Sequence, residues 1–266
     1  MLTNYHTHTN FCDGKDSAED VILTAIEKGF DAIGFTGHGF TSFDTSYCMK
    51  NTAQYLAEIN RLKAKYKGKI QIYSAIEEDC FELVSRKDYD YILGSSHYIR
   101  AKNGILPIDL GHEHFKTLVN AFDGDVISLA NAYYESFTDY VLKRKPDIVG
   151  HFDLITKYDD LDGGLLRNDP KYNAIAEKYL VKALQSQCVF ELNTGAIARG
   201  YRKTPYPSEN LLYLMRNEGG KIMINTDCHN KENLDCHVKE SKLLLKDVGF
   251  EYVYVIWNGE FKKDYL

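Results

Sequence analysis

The chain has 266 residues, 44% hydrophobic and 26% charged, an ordinary globular balance with enough apolar material for one barrel-sized core. No run of about 18 apolar residues occurs, which excludes a membrane-spanning helix, and a net charge of −6 with a sequence pI of 5.9 comes with no basic stripe for nucleic acid. Six scattered cysteines without a Cys-x-x-Cys pair read as reduced thiols, and the opening residues carry no basic or apolar leader, so the cytoplasm is the expected compartment.

Along the chain, short apolar runs lead repeatedly into polar clusters. Leu2 to Tyr5 predicts a strand running into His6-Thr7-His8. Ser17 is the expected N-cap of a helix whose Val21, Ile22, Ala25 and Ile26 share one face and which Gly29 ends. Ala32 to Phe35 predicts a second strand, leading to Gly37-His38-Gly39, and residues 52–66 a second helix with Leu56, Ile59 and Leu62 inward. Further strands are predicted from Ile70 to Ile76, ending at Glu77, and from Tyr91 to Gly94, ending near Ser96-His97. After a helical stretch over 133–143, Asp147 to Gly150 ends at His151, Cys188 to Leu192 at Asn193, and Lys221 to Asn225 at Asp227.

That pattern is α/β: seven strands, most separated by helices, with right-handed crossovers and one domain over residues 1–266. Residues 100–124 are poorly periodic and are expected to form a long loop walling the pocket. Nearly every histidine or carboxylate of interest follows the C-terminal end of a strand, and in a barrel those ends gather on one face.

A lone His-x-His is common by chance. Here His6-x-His8 is matched by Asp227-x-His229 at the last strand, and Asp13, His38, Glu77, His97 and His151 each add one ligand-type side chain. Satisfied core histidines could explain one or two of these, not six of nine falling just after apolar runs. His112, His114 and His237 fit no such position, and Cys228 reads as a packed thiol. Histidine with carboxylate and no cysteine pattern suits an open, catalytic zinc, manganese or iron site. Arg199 and Arg202, in the loop after a strand, are candidate phosphate contacts, with Lys157 a weaker one.

In their order, His6-x-His8, Asp13, Gly37-His38, Glu77, Ser96-His97, Gly150-His151 and Asp227-x-His229 resemble the motifs of the polymerase and histidinol phosphatase (PHP) superfamily. The segments His151-Phe152-Asp153-Leu154 and Glu191-Leu192-Asn193-Thr194-Gly195 resemble its stand-alone histidinol-phosphate phosphatase branch. The resemblance implies a distorted (β/α)7 TIM-like barrel with two or three divalent metals at the strand C-termini. Carried over, it implies one metal on His6, His8, Glu77 and Asp227, a second on Glu77, His97 and His151, and a third on Asp13, His38 and His229. Glu77 and Asp227 would be catalytic. Some members carry histidine where this chain has Asp13.

The implied reaction is hydrolysis of a small phosphomonoester, L-histidinol phosphate in histidine biosynthesis, with a metal-bridging hydroxide attacking phosphorus. Three divalent ions, offset by three carboxylates and that hydroxide, would leave about +2 facing a phosphate dianion. The substrate's organic part is expected under residues 100–124 and Tyr133-Tyr134. Competing readings are a PHP-type phosphodiesterase or nuclease, an amidohydrolase, and a non-catalytic metal-binding domain. The acidic chain speaks against the first, the Glu77 and Asp227-x-His229 pattern against the second, and the complete ligand set against the third. No nucleic-acid or membrane partner is expected, and the sequence assigns no oligomeric state.

Overall fold

The computed structural model describes residues Met1–Leu266. In chain order the elements are β1 (Thr3–Asn4), α1 (Ala18–Glu27), β2 (Ala32–Phe35), α2 (Thr52–Lys65), β3 (Gln71–Asp79), β4 (Tyr91–Ser95), β5 (Tyr98–Ala101), β6 (Gly104–Pro107), α3 (His112–Asn120) and α4 (Val126–Arg144). There follow β7 (Ile148–Val149), α5 (Pro170–Leu184), β8 (Val189–Asn193), α6 (Gly195–Ala198), α7 (Glu209–Asn217), β9 (Lys221–Asn225), α8 (Val238–Val248), β10 (Tyr252–Trp257) and β11 (Glu260–Tyr265).

Seven strands pair in parallel in the order β1-β2-β3-β4-β7-β8-β9. The outer strands meet just beyond their ends: His8 N–H donates to the Cys228 carbonyl (2.8 Å) and Cys228 N–H to that of His6 (3.1 Å), which nearly closes the barrel. All seven predicted strands are present. Helix α1 starts as expected, with the Ser17 hydroxyl accepting from Asp20 N–H, and the chain leaves it through Gly29 at φ +77°. In α2 the inward face is Tyr55, Ile59 and Leu62, one position off the expected stripe at its start.

Alternation along the strands sorts the core. Tyr73 and Ala75 of β3, Tyr91 and Leu93 of β4, Val189 of β8 and Met223 of β9 face the barrel interior, with Tyr5 and Ile148. Val255 and Ile256 of β10 join them, so a C-terminal hairpin plugs the barrel at the strand N-terminal end; Tyr5 donates its hydroxyl to the Ile256 carbonyl at 2.7 Å. The alternate residues, such as Ile33, Phe35, Ile72 and Ile76, pack outward under α1 and α2. Phe190, Leu192, Ile222 and Ile224 do the same under the later helices.

Two expectations are corrected. Residues 100–124 are not a long loop: β5 and β6 form an antiparallel hairpin that turns over Lys102-Asn103 into Gly104 (φ +128°), and α3 follows. Tyr133 and Tyr134 do not cover a substrate either, because both are fully buried in the apolar core beside α5. On a helix the residues at that register pack against the neighbouring element, and α4 lies along α5 through them.

Candidate metal centre

Position in the fold gathers the predicted side chains. His6 and His8 follow β1, His38 follows β2, Glu77 lies on the inward row of β3 two residues before its end, and His97 and His151 come two residues after β4 and β7. Asp227 and His229 follow β9, and Asp13 lies in the turn after β1. Asp227 takes a left-handed backbone (φ +48°), which turns the chain sharply as it leaves the strand.

Glu77 is the hub. Its Oε2 lies 3.3 Å from His6 Nε2, 3.4 Å from His8 Nε2 and 3.0 Å from His38 Nδ1. Its Oε1 lies 3.3 Å from His97 Nε2 and 3.1 Å from His151 Nε2. Asp227 Oδ1 stands 3.3 Å from His8 Nε2, 3.6 Å from His6 Nε2 and 3.4 Å from His229 Nδ1. Asp13 faces His229 Nε2 at 3.2 Å and His38 Nε2 at 3.6 Å. All nine predicted ligand residues therefore form one cluster.

The cluster has the donors of a metal site, and several of the atoms that face one another in it lack hydrogen-bond partners. His6 Nε2, His8 Nε2 and Glu77 Oε2 face one another, buried and with no hydrogen-bond partner. Such groups are costly to leave unpaired, and their convergence is what a cation would satisfy. Three sets of ligand atoms lie mutually within 4.8 Å: His6, His8 and Glu77; His38, Glu77 and His97; and His8, Asp13, His38 and His229. His8, His38 and Glu77 thus stand in two sets each, while Asp227 and His151 border them. Imidazole and carboxylate without thiolate fit zinc, manganese or iron.

Burial and charge work against each other here. Burial opposes ionisation of Glu77, yet His6, His97 and His38 around it hold it well below the usual carboxylate range. Asp227 is likewise held low against burial by Arg199 and His6. Burial disfavours a proton on His6, but Glu191 and Glu77 outweigh it and raise its proton affinity; Glu77 and Asp79 do the same for His97. His8 goes the other way, pushed down to about 3 by burial and by His229 and His38.

Beside the cluster opens a cavity of about 270 Å³, the size of a metabolite-scale ligand. Its lining includes Asp13, His38, His97, His151, Asp227 and His229, so six of the predicted ligand residues form its floor. Arg199 lines it, with Nη2 2.9 Å from Asp227 Oδ2. Lys157 lines it too, its Nζ 2.8 Å from Asp109 Oδ2. The 98–107 hairpin and the segment after it contribute Tyr98, Pro107, Asp109 and Leu110, so this region does supply a wall.

Arg202 does not reach the cavity. Only 3% exposed, it donates to the Thr156 hydroxyl (2.7 Å) and the Ser208 hydroxyl (3.2 Å) and stacks on the Tyr206 ring. Three histidines stand apart as expected, His112 pairing instead with Asp162. Cys228 is a packed thiol that donates to the Asn230 carbonyl. Sequence reasoning missed Asp44, Tyr47, Asp109 and Tyr201 in the cavity wall, and Glu191 behind His6.

Comparisons with known proteins agree with this geometry. A family model described as PHP domain matches residues 4–195. A Schizosaccharomyces pombe protein named "Probable histidinol-phosphatase" is 26% identical, the alignment covering 97% of this chain and 90% of that one. A solved Listeria monocytogenes chain superposes with a TM-score of 0.78 at 20% identity, covering 90% of this chain and 99% of its own. A histidinol phosphate phosphatase of Lactococcus lactis, solved with zinc, L-histidinol and phosphate, gives a TM-score of 0.72 at 20% identity, with coverage of 98% and 99%. With the family model spanning most of its length, the chain belongs to the PHP domain family.

Proposed function

We propose that this chain is a metal-dependent phosphomonoesterase that hydrolyses L-histidinol phosphate to L-histidinol and phosphate, a cytoplasmic step of histidine biosynthesis. The observation that carries the reading is the convergence of five imidazoles on the Glu77 carboxylate at the floor of a small cavity whose wall holds Arg199 and Lys157. The choice of substrate follows the relatives' names and the L-histidinol and phosphate bound by the Lactococcus lactis enzyme.

Two or three divalent ions, zinc, manganese or iron, would be held by His6, His8, Asp13, His38, Glu77, His97, His151, Asp227 and His229. Ions in such a cluster supply positive charge against the phosphoryl oxygens and acidify water. The chain's own residues do the rest. Arg199 keeps one arm on Asp227 at the cavity wall, where its guanidinium places a fixed positive charge for a phosphate group. Lys157 adds a second cation at the wall, steadied by Asp109.

The four carboxylates of the cavity, Asp13, Asp44, Asp109 and Asp227, are all shifted downward despite the opposing effect of burial. Neighbouring imidazoles lower Asp13, hydrogen bonds from Ser46 lower Asp44, Lys157 lowers Asp109, and Arg199 lowers Asp227. These four carboxylates are therefore ionised near pH 7 and serve as ligands or ion-pair partners rather than as the acid for the leaving oxygen. Phosphate release from L-histidinol phosphate should vanish when a chelator strips the protein and return on adding zinc or manganese. Activity indifferent to chelation and metal would refute the reading.

A further inference from the structure

Glu191 sits in the middle of β8, on the side that faces the barrel interior with Val189. It is buried, and no lysine or arginine lies within ion-pair distance of it; His6 is its only charged or chargeable partner. Four N–H donors meet its two oxygens. His6 Nδ1 lies 3.1 and 3.0 Å from Oε1 and Oε2. The His151 backbone N–H donates to Oε1 at 2.8 Å, the Asn193 amide to Oε1 at 2.7 Å and the Asn225 amide to Oε2 at 2.9 Å.

Neither amide can be turned around. Asn193 Oδ1 accepts from Gly195 N–H (2.8 Å) and Asn225 Oδ1 from Tyr5 N–H (2.9 Å), so each must present its NH2 group to Glu191. Three donors independent of His6, the His151 N–H and the Asn193 and Asn225 amides, converge on Glu191 and favour its ionised form, and an ionised carboxylate only accepts. The ring of His6 must therefore carry a proton on Nδ1. Its other nitrogen, Nε2, faces Glu77 Oε2 and Asp227 Oδ1 and has no hydrogen-bond partner.

We infer that Glu191 is a positioning residue of the metal centre, fixing His6 in the form that presents its Nε2 lone pair to the ion while anchoring the His151 backbone to the same carboxylate. The inference rests on the metal-dependent reading above. It ties together parts of the chain that are remote in sequence: the residues after β1 and after β7, the middle of β8 and the end of β9. A carboxylate behind a ligating imidazole also raises its basicity, and loss of such a partner typically weakens metal binding about 10–100-fold.

The test is a zinc titration of the metal-free full chain against a chromophoric chelator, for the wild type, Glu191→Gln and Glu78→Gln. Glu78 is an equally buried carboxylate, but it is held by Arg144 and Tyr140 and touches no ligand side chain. Glu191→Gln should bind zinc about 10–100-fold more weakly, while Glu78→Gln loses thermal stability and keeps its zinc affinity. Wild-type affinity in Glu191→Gln would overturn the inference and leave the metal site standing. A wild type that binds no zinc would overturn both. Should Glu191→Gln fail to fold, nitrogen-15 spectra of histidine side chains in zinc-loaded wild type decide: His6 protonated at Nδ1 and metallated at Nε2 supports the inference, and zinc on Nδ1 overturns it.

Discussion

Arg199 Nη2 lies 2.9 Å from Asp227 Oδ2, so the one guanidinium that lines the cavity is already paired with a carboxylate of the histidine–carboxylate cluster. Its Nη1 reaches His229 Nδ1 at 3.0 Å as well. Arg199 therefore stands between the cluster and whatever enters the cavity, while Arg202, only three residues further on, is turned into the fold.

The two arginines should separate in experiment. Arg199→Ala removes charge-assisted hydrogen bonds at the site, and kcat/KM for the monoester should fall about 10–100-fold with little change in stability. Arg199→Lys should recover little of it, since a point charge cannot serve Asp227 and a phosphate together. Arg202→Ala leaves the buried Asp153 short of its cation and should cost about 3 kcal/mol, roughly 5–10 °C in Tm. Thermal melts and steady-state kinetics on both variants check this, and identical behaviour of the two would contradict it.

Removing a hub charge while keeping its shape isolates its chemical role. Glu77→Gln or Asp227→Asn should abolish turnover with the far-UV circular dichroism unchanged. Near wild-type turnover with full metal content would show that neither carboxylate is needed.

Gly195 sets a steric limit on the same pair. A Cβ there would stand 2.8 Å from Asp227 Oδ2 and 2.9 Å from Arg199 Nη2, closer than real Cβ contacts allow. Gly195→Ala should therefore wedge the two apart and lower kcat/KM at least about tenfold, although no ligand is changed. Unaltered kinetics would mean that the Arg199–Asp227 contact is not used.

Metal uptake should release protons. In the metal-free protein Glu191 and Glu77 raise His6, and Glu77 and Asp79 raise His97, each against the opposing effect of burial, so both rings hold protons above the ordinary value of about 6.5. A metal accepts only the lone pair of an unprotonated nitrogen, so each must lose a proton as the ion enters. Affinity should then fall as pH is lowered, starting above the pH at which an ordinary histidine titrates. Calorimetry near pH 7 in buffers of different ionisation enthalpy should count about one proton or more released per chain; no release would contradict the charge balance.

The barrel was legible because each strand is a short apolar run that stops at a polar cluster, and because Glu77 and the histidines stand at those stops. The hairpin 98–107 was hidden by the irregular spacing around Gly104, and the exposed, charged β11 gave no strand signal. Glu191 was hidden differently. Apart from Asn193, its donors lie 185 and 40 positions before it and 34 after it, beyond the reach of local pattern. The signal that was present is a lone carboxylate two residues from Val189 and Asn193 in an apolar strand, which must find N–H donors if it is buried. Arg199 and Arg202 looked alike in sequence, and only the turn of the chain after α6 decided which one faces the ligand.

The most direct test of the central claim is kcat/KM of the zinc- or manganese-reconstituted protein on L-histidinol phosphate, measured beside p-nitrophenyl phosphate and a phosphodiester. We expect roughly 10⁴ M⁻¹s⁻¹ or more on L-histidinol phosphate, far above the other two. Poor turnover of L-histidinol phosphate with efficient diester cleavage would contradict the account and move the same metal cluster to nuclease-type chemistry.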